Sequence, residues 1–187
     1  MAATVGYGEF VYEALEQWEK LPEGWSLKEC PGVAVDSHDN IFVLTRGAHP
    51  LIVFDREGNF QRSFGEGMFS ENRTHGLYVG YDNSVWVADD GLHTVQKFNA
   101  QGERQMELGE RNQPKPKWGG QPFNRPTSAA VRPSNNDIYI SDGYGNARIH
   151  VYTSGGEYKF SWGSSGIDAG QFMRPHNIAI DENDNVY

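Results

Sequence analysis

Residues 123–163, FNRPTSAAVRPSNNDIYISDGYGNARIHVYTSGGEYKFSWG, divide into four short runs separated by turn-forming residues. Thr127–Val131 is small and apolar. Asp137–Ile140 alternates and ends in Ser141-Asp142-Gly143; Arg148–Tyr152 alternates again, and Tyr158–Trp162 closes the unit before Gly163. Runs of β-branched and aromatic residues bounded by Gly, Asn, Asp, Ser and Pro are strand signals, and four in succession make one antiparallel sheet.

The unit recurs. One copy runs through Pro31–Asp36, Ile41–Leu44, Leu51–Asp55 and Phe60–Gly65, and a second through His75–Val79, Ser84–Ala88, Thr94–Phe98 and Arg104–Gly109. A further copy begins at Pro175–Asp181 and breaks off at Asn185–Tyr187. Pro31, His75, Thr127 and His176 then occupy equivalent positions, spaced 44, 52 and 49 residues apart. A period near 45 with four strands per unit and a glycine after the last strand points to an all-β chain, a β-propeller, and no segment sustains the 3.6-residue apolar period of a helical solenoid. The chain holds three blades and the start of a fourth, an incomplete ring. It reads as a fragment of a longer product, the rival being a half-ring that pairs with another chain. Residues 30–187 hold the blades and residues 1–29 an N-terminal segment. Glu9–Leu21 fits an amphipathic helix or a closing strand for the last blade, and its position before the first inner strand favours the strand.

The formal charge is −9 and the basic residues form no cluster, which argues against a nucleic-acid partner. Cys30 is the single cysteine, so no internal disulfide forms. The N-terminus lacks a basic region followed by an apolar run, and no apolar stretch is long enough to span a bilayer. A soluble chain, cytoplasmic by default, is expected.

In a propeller the first strand of each blade lines the central channel, so the residues opening these strands surround one axis. Histidine stands there in alternate blades, as His75 and His176. Were the ring six-bladed, three such positions would sit 120° apart, and three imidazoles with one open position suit catalytic zinc. The alternative is two unrelated histidines capping strand starts. Tyr144 follows Ser141-Asp142-Gly143 at the channel mouth, where a tyrosine beside a metal serves as a base and a rim aromatic is the plainer reading. Arg46 leaves the second strand of the first blade at a similar level; it suits a carboxylate or a developing oxyanion, or it is a surface arginine. His38, His49, His93 and His150 read as structural or solvated. The insertion Glu110–Gln121, rich in Pro and Gly, is a loop on the face of the ring.

From about Gly32 onward these repeats resemble NHL repeats, and their combination resembles the peptidyl-α-hydroxyglycine α-amidating lyases, six-bladed propellers. The most specific piece is Ser141-Asp-Gly-Tyr-Gly-Asn-Ala-Arg-Ile149, which resembles the stretch holding that family's catalytic tyrosine, here Tyr144. The resemblance places two zinc histidines on His75 and His176, an active-site arginine on Arg46, and main-chain carbonyl ligands of a structural calcium on Val33 and Leu77. A third zinc histidine, a further calcium ligand and a second active-site arginine belong to later blades. The disulfide of the family's animal members falls on Asn124 and Gly145, as in a bacterial-type homologue without that bond. The implied reaction converts a peptide ending in α-hydroxyglycine to an amide and glyoxylate, and a ring lacking its third ligand implies an inactive 187-residue chain. Two other classes stay open: an NHL propeller that binds a protein partner through its loop faces without catalysis, and a lactonase- or streptogramin-lyase-like enzyme.

Overall fold

The structure, a computed structural model, describes residues 3–187. It is all-β, with no helix among the described residues and hence none long and apolar enough to cross a membrane. Three four-stranded antiparallel sheets follow one another. The first contains β3 (Gly32–Val35), β4 (Ile41–Leu44), β5 (Leu51–Phe54) and β6 (Phe60–Phe64). The second contains β7 (Thr74–Val79), β8 (Val85–Asp89), β9 (Thr94–Phe98) and β10 (Arg104–Leu108). The third contains β11 (Ser128–Val131), β12 (Ile138–Asp142), β13 (Arg148–Tyr152) and β14 (Tyr158–Trp162). In each sheet the strands lie in sequence order, which is the meander of a propeller blade.

Burial on both faces holds the sheets together. Along β4 and β5, Phe42, Leu44, Leu51 and Val53 point toward the second blade and meet Val85, Val87 and Phe98. Their neighbours Val43, Ile52 and Phe54 point the other way. This two-residue alternation sends successive side chains to opposite faces. Between blades two and three, Trp86, Ala88, Val95 and Leu108 pack on Ala129, Val131, Ile138 and Ile140. The opposite face of blade three, with Tyr139, Ile149 and Val151, receives Ile178, Ile180 and Phe172 from the last segment.

Polar turns repeat as faithfully as the core. Asp36 accepts hydrogen bonds from the main-chain N–H of His38 and Asn40 and from the Asn40 amide, and Asp55 and Asp181 do the same two and four residues ahead. A carboxylate that mimics a main-chain turn in this way fixes the hairpin.

Two expectations are refined. The fourth inner strand, expected within Pro175–Asp181, forms no ladder: Ile180 bridges Val186, and Ala179 and Tyr187 exchange main-chain hydrogen bonds. Ahead of the blades, β1 (Thr4–Tyr7) and β2 (Phe10–Glu13) pair only with each other in an exposed hairpin, so no helix forms over Glu9–Leu21 and β2 closes no blade of this chain. The following segment docks on blade one instead. Trp18, Leu21, Trp25 and Leu27 cover its outer face, and Lys20 bridges Asn59.

Candidate active site

The first strands of the blades stand side by side, and glycine sets how close they come. A Cβ on Gly76 would lie 2.3 Å from the Thr127 carbonyl oxygen, and one on Gly143 would lie 1.9 Å from that of Pro175. The absent methyl groups let β7 approach β11 and let the end of β12 approach the last segment. His176 is held from both sides. Thr127 Oγ1 donates to the Pro175 carbonyl at 3.0 Å, and Ser128 Oγ donates to Asn177 Oδ1 at 2.6 Å.

Three polar atoms from three repeats therefore converge. His75 Nε2 lies 2.9 Å from the Tyr144 hydroxyl and 3.1 Å from His176 Nε2, and the hydroxyl lies 2.9 Å from His176 Nε2. The rings meet edge to face. His75 Nδ1 sits 2.8 Å from the Thr127 carbonyl, which only accepts, so Nδ1 carries the proton and Nε2 presents a lone pair to the cluster. Burial is the largest influence on His75 and lowers its pKa; the Thr127 hydrogen bond opposes, and charge on His176 and Arg46 adds to the lowering. The neutral imidazole is thus favoured. Two nitrogens bound to one zinc at about 2.0–2.1 Å lie at most about 4 Å apart, so the spacing of this pair fits a shared cation.

The turn carrying Tyr144 is clasped by the insertion that precedes β11. Trp118 N–H donates to the Gly145 carbonyl at 2.8 Å. Buried Asn146 accepts from Gly120 N–H at 2.9 Å and donates to the Gln121 carbonyl at 2.6 Å and to Asp142 Oδ2 at 2.8 Å. Asp142, fully buried, also accepts from Asn124 N–H and contacts His150 Nε2 at 3.3 Å. Asn124 and Gly145, where the animal disulfide would fall, are in contact without one: the Asn124 amide oxygen fills the space of a Gly145 side chain.

The other expected residues lie around this cluster. Arg46 is one step away; its Nε donates to the Thr74 carbonyl at 3.1 Å and its Nη1 pairs with Glu29 at 3.2 Å, beside a cleft of about 460 Å³ that Lys28 and Ser70 also line. Val33 and Leu77 share a second cleft, about 270 Å³, with His75 and His176. His38 stays in its turn, His49 stacks on Trp25, His93 Nδ1 accepts from Arg125 N–H, and His150 is buried. Among the described residues no three His, Cys, Asp or Glu side chains gather as a metal site.

Sequence reasoning passes over three arginines. Arg125 and Arg174 lie over the Tyr144 ring, 4.6 and 5.5 Å from its centroid. Arg73 and Arg125 share Asp90, at 2.6 and 2.8 Å. Burial pushes the Asp90 carboxyl up, but these two guanidinium groups outweigh it and hold the carboxyl below its usual range. The signal was present: Arg73, Arg125 and Arg174 each stand two residues before the residue that opens an inner strand.

Comparison with known proteins agrees with this architecture. The NHL repeat family model matches residues 123–152. The chain is 29% identical over 92% of its length to the peptidyl-glycine alpha-amidating monooxygenase of Mus musculus, and 37% identical over 58% of its length to peptidyl-alpha-hydroxyglycine alpha-amidating lyase 1 of Drosophila melanogaster. It spans 20% and 19% of those relatives. Among solved structures, a streptogramin B lyase superposes with a TM-score of 0.66 at 16% identity, over 87% of this chain and 48% of that one, a likeness of fold.

Proposed function

We propose, on the premise of an incomplete β-propeller that carries an NHL repeat and is similar to α-amidating lyases, that His75, Tyr144 and His176 form the reacting centre of a metal-assisted carbon–nitrogen lyase. The substrate is a carbinolamide, a peptide or acyl amide ending in α-hydroxyglycine, and the products are the amide and glyoxylate. The observation that carries this reading is the convergence of three donor atoms from three repeats within 3.1 Å. His75 and His176 hold zinc through Nε2, with Thr127 fixing the His75 tautomer, the outer support that metal-bound histidines ordinarily have. Zinc, when bound, supplies Lewis acidity to a substrate oxygen. Calcium is assigned to the main-chain oxygens of Val33 and Leu77 as a structural ion, in keeping with its preference for oxygen ligands.

The chain's own residues supply proton transfer and charge. The Tyr144 oxygen takes the proton of the carbinol hydroxyl as the carbon–oxygen double bond of glyoxylate forms and the carbon–nitrogen bond breaks. The same proton returns to the departing amide nitrogen, so the reaction is proton-neutral. Arg46 holds the negative charge that develops on the carbinol oxygen of the glyoxylate half as its proton leaves; its Nε sits on the Thr74 carbonyl and its charge is felt at His75. The test uses the full-length protein containing this chain and an N-acyl α-hydroxyglycine. Tyr144→Phe is expected to keep its zinc and lose glyoxylate release by about 10²–10⁴-fold, the usual contribution of a positioned acid–base group. His176→Ala is expected to lose both. Wild-type turnover in Tyr144→Phe, or wild-type zinc content in His176→Ala, would overturn the assignment.

A further inference from the structure

We infer that the channel mouth carries an anion subsite, built on Arg174 with Arg125 beside it, that takes a carboxylate of the ligand. The inference rests on Tyr144 and the two histidines being the reacting centre, and adds the part of the site that selects the ligand's charge.

Repeat register supplies the first support. Two residues ahead of each inner-strand opening stand Glu29, Arg73, Arg125 and Arg174 in the four successive repeats. One blade position thus carries a guanidinium three times running around one axis, in a chain whose net charge is −9. A basic row at a ring mouth in an acidic protein draws small anions toward the axis.

Pairing then separates the members of the row. Glu29 is taken by Arg46. Arg73 and Arg125 divide one carboxylate, Asp90, which is almost wholly buried beneath them. Arg174 is exposed, forms no ion pair and no hydrogen bond among the described residues, and is positioned only by its approach to the Tyr144 ring. It stands two residues before His176, whose Nε2 lies 2.9 Å from the Tyr144 hydroxyl. A planar guanidinium with its donors unspent, over the ring that carries the reacting oxygen, matches a carboxylate bidentately. Arg125 adds a second positive charge across the same ring; its buried Nε has no partner, while one terminal nitrogen is tied to Asp90. The ligand class is a small α-hydroxy or α-oxo acid, or the same group at the end of an amide, with its carboxylate on Arg174 and its hydroxyl at Tyr144.

The experiment measures binding of glycolate and of uncharged glycolamide to the metal-free full-length protein containing this chain by titration calorimetry, so that affinity reports the side chains alone. Wild type is expected to bind glycolate, and Arg174→Gln to bind it at least about tenfold more weakly, the loss typical of a hydrogen-bonded charge pair. Arg174→Lys, a point charge without the fork, is expected to fall between them, and glycolamide to be unaffected by either change. Arg174 is exposed, so the variants should keep the wild-type melting temperature. The subsite is overturned if wild type does not bind glycolate, if Arg174→Gln binds it equally well, or if glycolamide binds as tightly as glycolate. Glycolate binding that depends on Arg174, in a full-length protein that cleaves no α-hydroxyglycine amide, would sustain the subsite and overturn the lyase reading. Turnover with an unchanged KM in Arg174→Gln would do the reverse.

Discussion

A single main-chain oxygen determines which nitrogen of His75 faces its partners. Because the Thr127 carbonyl occupies Nδ1, and burial disfavours the charged ring, the folded protein takes up a proton at His75 less readily than the unfolded chain does. His93 is shifted in the same direction, chiefly by burial. The unfolded chain begins to bind these protons near pH 6.5, the folded chain only lower, so stability is full above that value and declines as the pH falls toward the folded values. Urea unfolding between pH 7.5 and 5.5 should show that decline, and His75→Gln should flatten it; an unchanged slope would mean that His75 titrates alike in both states. The cluster itself was legible in the sequence. His75, Tyr144 and His176 sit at positions where repeat register alone brings side chains to one axis. The three arginines share that legibility, yet an arginine at a strand approach reads as surface until Asp90, far away in sequence, is seen to bind two of them, the third having no ion pair among the described residues. The carbonyl of Thr127 and the amide of Asn146 were not legible, since their partners are set by loop paths that no residue pattern encodes.

The strands of the three complete blades follow the expected runs closely, because alternation, flanking Asp/Asn turns and terminal glycines all agree there. Where only one of these signals operates, the outcome differs. Phe10, Tyr12 and Ala14 alternate, but no blade face receives them, and the result is a free-standing hairpin. The insertion over Glu110–Gln121 is the reverse case: irregular in pattern, yet tied to the Tyr144 turn by Trp118 and Asn146. Replacing Asn146 with Ala strands Gly120 N–H and the Gln121 carbonyl and removes one of the hydrogen bonds to Asp142 Oδ2. A stability loss of about 1–3 kcal/mol is expected, with faster amide exchange at Trp118 and Gly120 and unchanged exchange along β8 and β9. Exchange accelerated equally in all of these would show that the clasp has no local role.

Across the molecule, each interior blade face is covered by its neighbour, and the first blade is covered by Trp18, Leu21, Trp25 and Leu27. The last complete blade is served less well. Tyr158 and Phe160 on β14 remain half exposed, and Ile167 and Met173 beyond it are largely exposed. Aromatic side chains on a strand that ends a sheet favour association through that edge. The isolated chain should therefore sediment as species larger than its 21.0 kDa mass, and a monodisperse monomer with a sharp, cooperative melt would contradict this. The polar triangle has a consequence of another kind. Its corners come from three consecutive repeats, so cutting the chain between Gly163 and Arg174 would leave His75 and Tyr144 on one piece and His176 on the other. Neither piece would hold all three corners, and recovery of the contact between His75 and His176 on mixing them would report that the repeats had been rejoined at the right pitch, making the triangle a caliper for its own scaffold.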